Sequence, residues 1–237
     1  MSALRELIIF TPTPNEYRAV SRHMGLASFK KLTASVIECG PGRINAAYHF
    51  AQELLHRRRA RERPIVVGAG TSGSLSLELA RGDVLVSGSA IISDWRMEDG
   101  ETVKVSPYGT FDYREPDPEH VERMAIECRE PLVVDFIESL KGGQLKFGRM
   151  LTSEAFVSGK EHKLALGRLY GCPACDMESG VFGYLAGKSA QVPWFNVRVI
   201  ADTLDDALND YFAVERDVTD ILGGKLVAAL EKLDALL

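Results

Sequence analysis

The run from Cys175 to Asp206, CDMESGVFGYLAGKSAQVPWFNVRVIADTLDD, constrains the fold more than any other stretch of the chain. A short segment ends in Asp176-Met177-Glu178, after which Val181, Phe182, Leu185 and Ala186 recur at helical spacing. Beyond Val192-Pro193, residues Trp194 to Ile200 form an apolar run of the kind that is buried on both faces of a parallel sheet. Strand, helix and strand in that order predict a βαβ unit. Such a unit delivers Glu178 and Asp202 just past strand ends, the edge at which open α/β sheets take ligands, and so toward one cleft.

The rest of the chain continues the alternation. A strand at Leu7–Phe10 is broken by Thr11-Pro12-Thr13-Pro14, and a helix starts near Asn15. Glu16 sits at that junction, where a carboxylate either complements the helix dipole or faces a ligand. A strand over residues 34–39 leads through Gly40-Pro41-Gly42-Arg43 into a helix from Ile44 to about Arg59. The basic run Arg57-Arg58-Arg59-Ala60-Arg61 reads as a solvated helix end. A strand from Pro64 to Ala69 runs into Gly68-Ala69-Gly70-Thr71-Ser72-Gly73, which has the spacing of a dinucleotide fingerprint. Only Ser74 to Arg81 separate these glycines from the next strand, Val84–Ser89, so a crossover helix does not fit. The segment is expected to be a turn that exposes backbone N–H groups and hydroxyls to a small ligand. Residues 93–113 read as loop or hairpin, 116–128 and 131–141 as helices, 145–152 as a strand and 161–169 as a helix. Residues 208–237 are mostly helical, with a kink or break at Gly223-Gly224. Six or seven strands alternating with about six helices predict an α/β sheet flanked on both faces, in a single domain over residues 1–237.

Composition closes off several functions. With a net charge of −5, the chain of 237 residues offers no basic field for nucleic acid or an anionic membrane. No apolar run approaches the ~20 residues that span a bilayer. The N-terminal MSALRELIIF lacks a signal-peptide layout, and four cysteines are too few for a disulfide scaffold, so a cytoplasmic protein is expected. Cys172-Pro173-Ala174-Cys175 precedes the DMES segment instead of starting a helix, and Cys39 and Cys128 stand alone, so neither a redox motif nor a zinc site is expected. The five histidines form no metal spacing. No metal or cofactor is implied.

Several segments, in order, resemble the nucleoside phosphorylase and nucleosidase superfamily, most of all its 5'-methylthioadenosine/S-adenosylhomocysteine nucleosidase branch. They are Gly70-Thr71-Ser72-Gly73 with Gly82-Asp83, Ala155-Phe156, Met177-Glu178, and Arg198-Val199-Ile200-Ala201-Asp202. The resemblance implies a three-layer α/β/α sandwich around a mixed, mostly parallel sheet, and cleavage of the bond between a ribose and a purine. By the same resemblance Asp202 is the acid that protonates the leaving base at N7. Glu178 grips the ribose hydroxyls and Met177 packs on the sugar. Phe156 stacks on the base, the Val157 backbone bonds its edge, and Thr71 lines the cleft near the sugar. Glu16 positions and helps activate the attacking water.

These residue types suit the chemistry. The ribosyl group becomes oxocarbenium-like as the base leaves, so nearby carboxylates stabilise it. A purine leaves poorly until it is protonated, and a positioned acid contributes roughly 10²–10⁴-fold. For Asp202 a helix-capping role in the loop 202–206 stands beside the catalytic one. Whether water or phosphate attacks turns on the cations. Superfamily phosphorylases hold phosphate with arginines, and where one of these would precede the Gly-rich segment this chain has Gly68. Glu16 favours water; Arg18 and Arg43 are the phosphate-binding candidates if the protein is a phosphorylase. A non-catalytic nucleoside-binding protein is a third reading. Trp95-Arg96-Met97-Glu98-Asp99 departs from the nucleosidase pattern, and residues 100–135 are longer and more polar, so the 5' substituent is open and a futalosine-type nucleoside competes with methylthioadenosine. The resemblance further implies a homodimer or higher homo-oligomer, to which Trp95, Tyr108, Phe111 and Tyr113 would contribute unless they cover the subunit's own cleft.

Overall fold

A computed structural model describes residues 4–57, 63–99, 102–206 and 208–237. In chain order the elements are β1 (Arg5–Thr11), α1 (Pro14–Leu26), β2 (Leu32–Glu38), α2 (Arg43–His56), β3 (Ile65–Ser74), β4 (Val84–Ser87) and β5 (Ser89–Ile92). The hairpin of β6 (Arg96–Asp99) and β7 (Thr102–Val105) follows, then α3 (Pro118–Met124), β8 (Ile126–Glu127), α4 (Pro131–Leu140), β9 (Lys146–Phe147) and β10 (Met150–Thr152). The chain ends with α5 (Lys160–Tyr170), β11 (Ala174–Asp176), α6 (Ser179–Tyr184, prolonged by a π-helical turn at Leu185–Ala190), β12 (Trp194–Asp202) and α7 (Leu208–Leu236).

Among the described residues, ten strands form one mixed, mostly parallel sheet with β3 as its spine. The first half of β3 pairs in parallel with β1, and its far end pairs antiparallel with β11. Along its other edge it pairs with β12 from Val66 to Gly73. β12 in turn pairs with β4, and β4 passes through Gly88 into β5, which pairs with β10 on the opposite side of the sheet. The path β5-β10-β11-β3-β12-β4 therefore returns to its own beginning along the chain. Alternation along the strands sorts the core into two layers. Leu7, Ile9, Phe195, Val197 and Val199 pack with Val20 of α1, Phe136 of α4 and Leu222, Leu226 and Leu230 of α7. Ile8, Phe10, Trp194 and Ile200 pack with Phe50 of α2 and Phe182 of α6. This is the period-two burial of a sheet covered on both faces.

Several expectations are corrected. The organising unit is not a simple parallel βαβ: β11 and β12 are separated by β3 and run in opposite senses, because β11 joins β3 antiparallel. The segment 68–73 is the second half of a ten-residue strand, not a turn. Its glycines answer to side chains on β12: a Cβ at Gly68, Gly70 or Gly73 would run into Asn196, Arg198 or Asp202. The expected strand 84–89 is two strands with Gly88 between them, and 145–152 splits at Gly148-Arg149 into β9 beside β4 and β10 between β5 and β11. The helix over 116–128 stops at Met124, where the chain turns into β8. α7 is unbroken at Gly223-Gly224; Gly223 instead lets α1 approach, since a Cβ there would meet His23. Arg57 pairs with Glu6 and Glu53, and Arg58–Arg61 lie outside the described residues.

Candidate active site

A cavity of about 270 Å³ opens where the ends of β1, β3, β11 and β12 converge. Glu16, Thr71, Phe156, Val157, Met177, Glu178 and Asp202 all line it, together with Asp176 and Cys175. Residues far apart in sequence thus meet because these strand ends, with the segment after β10 that carries Phe156 and Val157, bring them to one place.

Glu16 arrives by helix capping. Thr13 is the N-cap of α1, its hydroxyl accepting from the Glu16 amide, while Glu16 Oε2 accepts from the Thr13 amide at 2.8 Å. This reciprocal pair is a capping box. Glu16 Oε1 accepts from both the amide and the hydroxyl of Thr71, at 2.7 and 2.8 Å. The helix-start and cleft readings of Glu16 therefore hold together: one carboxylate caps the helix, anchors β3 and lines the cavity. Burial raises its pKa, against the opposing pull of Arg198 and of these hydrogen bonds.

Glu178 lies two residues past the end of β11. Its Oε1 accepts from the Gly42 amide at 2.8 Å, across 136 residues of sequence. Gly42 is the N-cap of α2 with φ at +89°, a backbone conformation that costs glycine little. Burial pushes the Glu178 carboxyl up, opposed by Arg198 Nη1 at 3.4 Å from Oε2.

Arg198 lies beneath this group, fully buried in β12. Its Nε is 2.8 Å from Asp176 Oδ2 and donates to Ser179 Oγ at 3.1 Å. Asp176 also accepts from Thr152 Oγ1 at 2.9 Å. One guanidinium is thus surrounded by the carboxylates of Asp176, Glu178 and Glu16. The sequence reading passed over both Arg198 and Asp176 as site residues. The signal was present: Arg198 is the one cation in a nine-residue strand that is buried throughout.

Asp202 ends β12 after a register shift between Ile200 and Asp202 that turns its carboxyl toward the cavity rim. Its Oδ2 accepts from Lys163 Nζ at 2.6 Å, and Lys163 is fully buried on α5. Burial raises the Asp202 pKa, with Lys163 pulling it back. Lys163 also went unseen in the sequence, since one lysine in a polar helix carries no distinguishing pattern.

The two phosphate candidates do not line the cavity. Arg43 Nε is 2.7 Å from Glu154 Oε2 and its Nη2 3.3 Å from Asp94 Oδ2. Arg18 is exposed and donates to Asn15. Trp95, Tyr108, Phe111 and Tyr113 pack as one cluster with Tyr184 through edge-on and tilted ring contacts, and none lines the cavity. Cys172 and Cys175 are free, buried thiols whose pKa values burial drives upward. Among the described residues no group of acids, cysteines and histidines is arranged to hold a metal, and no helix is long and apolar enough to cross a membrane.

Residues 2–232 match the family model described as the Phosphorylase superfamily. No curated protein sequence matches the chain. Among solved structures, the futalosine hydrolase of Helicobacter pylori strain 26695 is similar with a TM-score of 0.75 at 19% identity, covering 99% of each chain. The 5'-methylthioadenosine/S-adenosylhomocysteine nucleosidase from Helicobacter pylori, with butyl-thio-DADMe-Immucillin-A, has a TM-score of 0.76 at 17% identity over 97% of this chain and 99% of that one. The S-adenosylhomocysteine nucleosidase from Streptococcus pyogenes, in complex with 5-methylthiotubericidin, has a TM-score of 0.74 at 19% identity over 98% of each. At these identities the likeness is one of fold.

Proposed function

The chain belongs to the phosphorylase superfamily, and from that membership we propose that it is a nucleosidase, hydrolysing the N-glycosidic bond of a purine nucleoside. The observation that carries the reading is the cavity lining: the carboxylates of Glu16, Asp176, Glu178 and Asp202, with no lysine or arginine among the described residues that line it. The cavity surface thus presents acids to a phosphate dianion, whereas it would stabilise a ribosyl cation. The arginines that a phosphorylase would need are engaged elsewhere, Arg43 with Glu154 and Asp94 and Arg18 with Asn15.

In this reading Asp202 protonates the purine at N7, and the C1'–N9 electron pair leaves with the base. Glu178 spends two acceptor sites on Gly42 and Arg198, leaving others of its four for the ribose hydroxyls. Glu16 Oε1 is saturated by Thr71, so Oε2, with one protein donor, is the oxygen that takes a proton from the attacking water. Met177 and Phe156 sandwich sugar and base, and the Val157 backbone bonds the base edge. The substrate is a methylthioadenosine- or adenosylhomocysteine-like nucleoside, or a futalosine-like one; the similarity in fold to enzymes named for both supports this pair. We read the protein as one cytoplasmic domain that assembles as a homodimer or higher homo-oligomer. Ile44, Tyr48 and Leu55, exposed at helical spacing along α2, suit such an interface.

The test is base release from methylthioadenosine, adenosylhomocysteine, adenosine, inosine and futalosine, each with and without phosphate. Release without phosphate is expected. Strict dependence on phosphate would make the protein a phosphorylase.

A further inference from the structure

We propose that Lys163 is a positioning residue for Asp202: it decides which carboxyl oxygen carries the acid proton and stabilises the charge left when that proton moves to the base. The proposal rests on the nucleosidase reading and adds to it a residue outside the cavity lining. Lys163 Nζ lies 2.6 Å from Asp202 Oδ2 and 2.6 Å from the Thr203 carbonyl oxygen. Lysine is almost never fully buried unless it is paired, and this one has no exposed surface. One turn earlier on α5, Lys160 reaches Asp205 at 2.9 Å on the surface. The helix therefore clamps the loop after β12 at two points, and only the inner clamp touches the acid.

The chemistry follows from what an ammonium can do. It has three donors and no acceptor, so it favours the unprotonated carboxyl oxygen, the better acceptor, and disfavours a hydroxyl at the oxygen it binds. With Oδ2 held by Lys163, the acid proton rests on Oδ1. As the C1'–N9 bond breaks, its electron pair goes to the purine and the Oδ1 proton goes to N7. The water oxygen bonds to C1', and its proton passes to Glu16. The new negative charge on Asp202 forms beside a cation that is already in place, so nothing must reorganise when the charge appears. The other groups facing Asp202 supply no such cation. Cys175, from β11, is a buried thiol, and Asp206, from the same loop, is an acid held by Thr203 and Arg81. Removing the Lys163 charge should therefore make Asp202 a weaker acid that stays protonated to higher pH.

Two variants, Lys163→Met and Lys163→Arg, test this by the pH dependence of base release and by the pH titration of the Asp202 carboxyl ¹³C signal, assigned by its loss in Asp202→Asn. In K163M the basic limb of kcat/KM and the carboxyl titration should both move up by about 1–3 pH units, the shift an adjacent opposite charge produces. The plateau kcat should fall by roughly 10–100-fold, part of what a positioned acid contributes, with KM nearly unchanged. K163R should keep the wild-type limb. A folded K163M whose limb and titration superimpose on the wild type would overturn the proposal while leaving the nucleosidase reading intact. Should K163M not fold, Lys163→Gln, which keeps a donor to Oδ2 without the charge, takes its place: the same upward move of limb and titration is expected, and superposition on the wild type would overturn the proposal. No base release by the wild type from any nucleoside would overturn the nucleosidase reading, and this role with it.

Discussion

Arg198 Nε stands 2.8 Å from Asp176 Oδ2, and both side chains are closed off from solvent. The same guanidinium also attracts two further cavity carboxylates, Glu178 at 3.4 Å and Glu16. Breaking a buried pair by removing one partner leaves a charge uncompensated, at a cost of about 3–5 kcal/mol. Asp176→Ala should lose about that much in urea unfolding. Asp176→Asn, which can still bond Thr152 and Ser179, should lose less.

Asp202→Asn removes the acid but retains an oxygen to accept from Lys163. Its kcat for base release should fall roughly 10²–10⁴-fold, the contribution of a positioned general acid, with a thermal melt close to that of the wild type. Activity near wild type would remove Asp202 from the acid role.

Glu16→Gln tests the double use of one carboxylate. If the amide oxygen keeps the two bonds from Thr71, the amide nitrogen faces the Thr13 N–H, donor against donor. Stability should drop by about 1 kcal/mol, the value of a lost cap. Turnover should fall far more than that, because the acceptor for the water proton is gone. Parallel melts and rate measurements separate the two effects.

Gly70→Ala would place a methyl against the Arg198 guanidinium and 3.0 Å from Glu16 Oε1. Overpacking of this kind costs about 1–3 kcal/mol, and here it also spreads the site. Loss of stability and of activity together is the expected outcome in denaturation and base-release assays. An unaffected variant would show that the sheet relaxes there.

Burial raises the carboxyl pKa values of Glu178, Glu16 and Asp202. The folded protein thus binds more protons than the unfolded chain once pH exceeds the unfolded values, 4.5 for Glu and 3.8 for Asp. By linkage, their contribution to stability is fully present below those values and is lost as pH rises through the raised folded ones. Melting temperature should therefore be eroded by these groups toward neutral pH, and Glu178→Gln should flatten part of that slope in melts across the range.

Most helices, and Glu16, Glu178 and Asp202 at element ends, were legible because their signals are local; Asp176 was not. Proline and acidic residues marked the start of α1, and the spacing of Val181, Phe182 and Ala186 marked the buried face of α6. The Gly-rich strand was not legible, because its glycines answer to Asn196, Arg198 and Asp202 on β12 and to nothing nearby in sequence. The direction of β11 against β3 is likewise set by tertiary pairing, which strand periodicity does not encode. Arg198 and Lys163 escaped for related reasons. A buried cation is recognised by the carboxylate that faces it, and those partners lie 22 and 39 residues away.

The place of β12 between β3 and β4 has a consequence for synthesis. Both neighbours are made long before Trp194 leaves the ribosome, so the emerging chain carries two strand edges whose partner does not yet exist. Unpaired apolar edges invite pairing with other chains, and contacts this distant in sequence form slowly. Translational pausing before β12 should therefore raise the yield of aggregate.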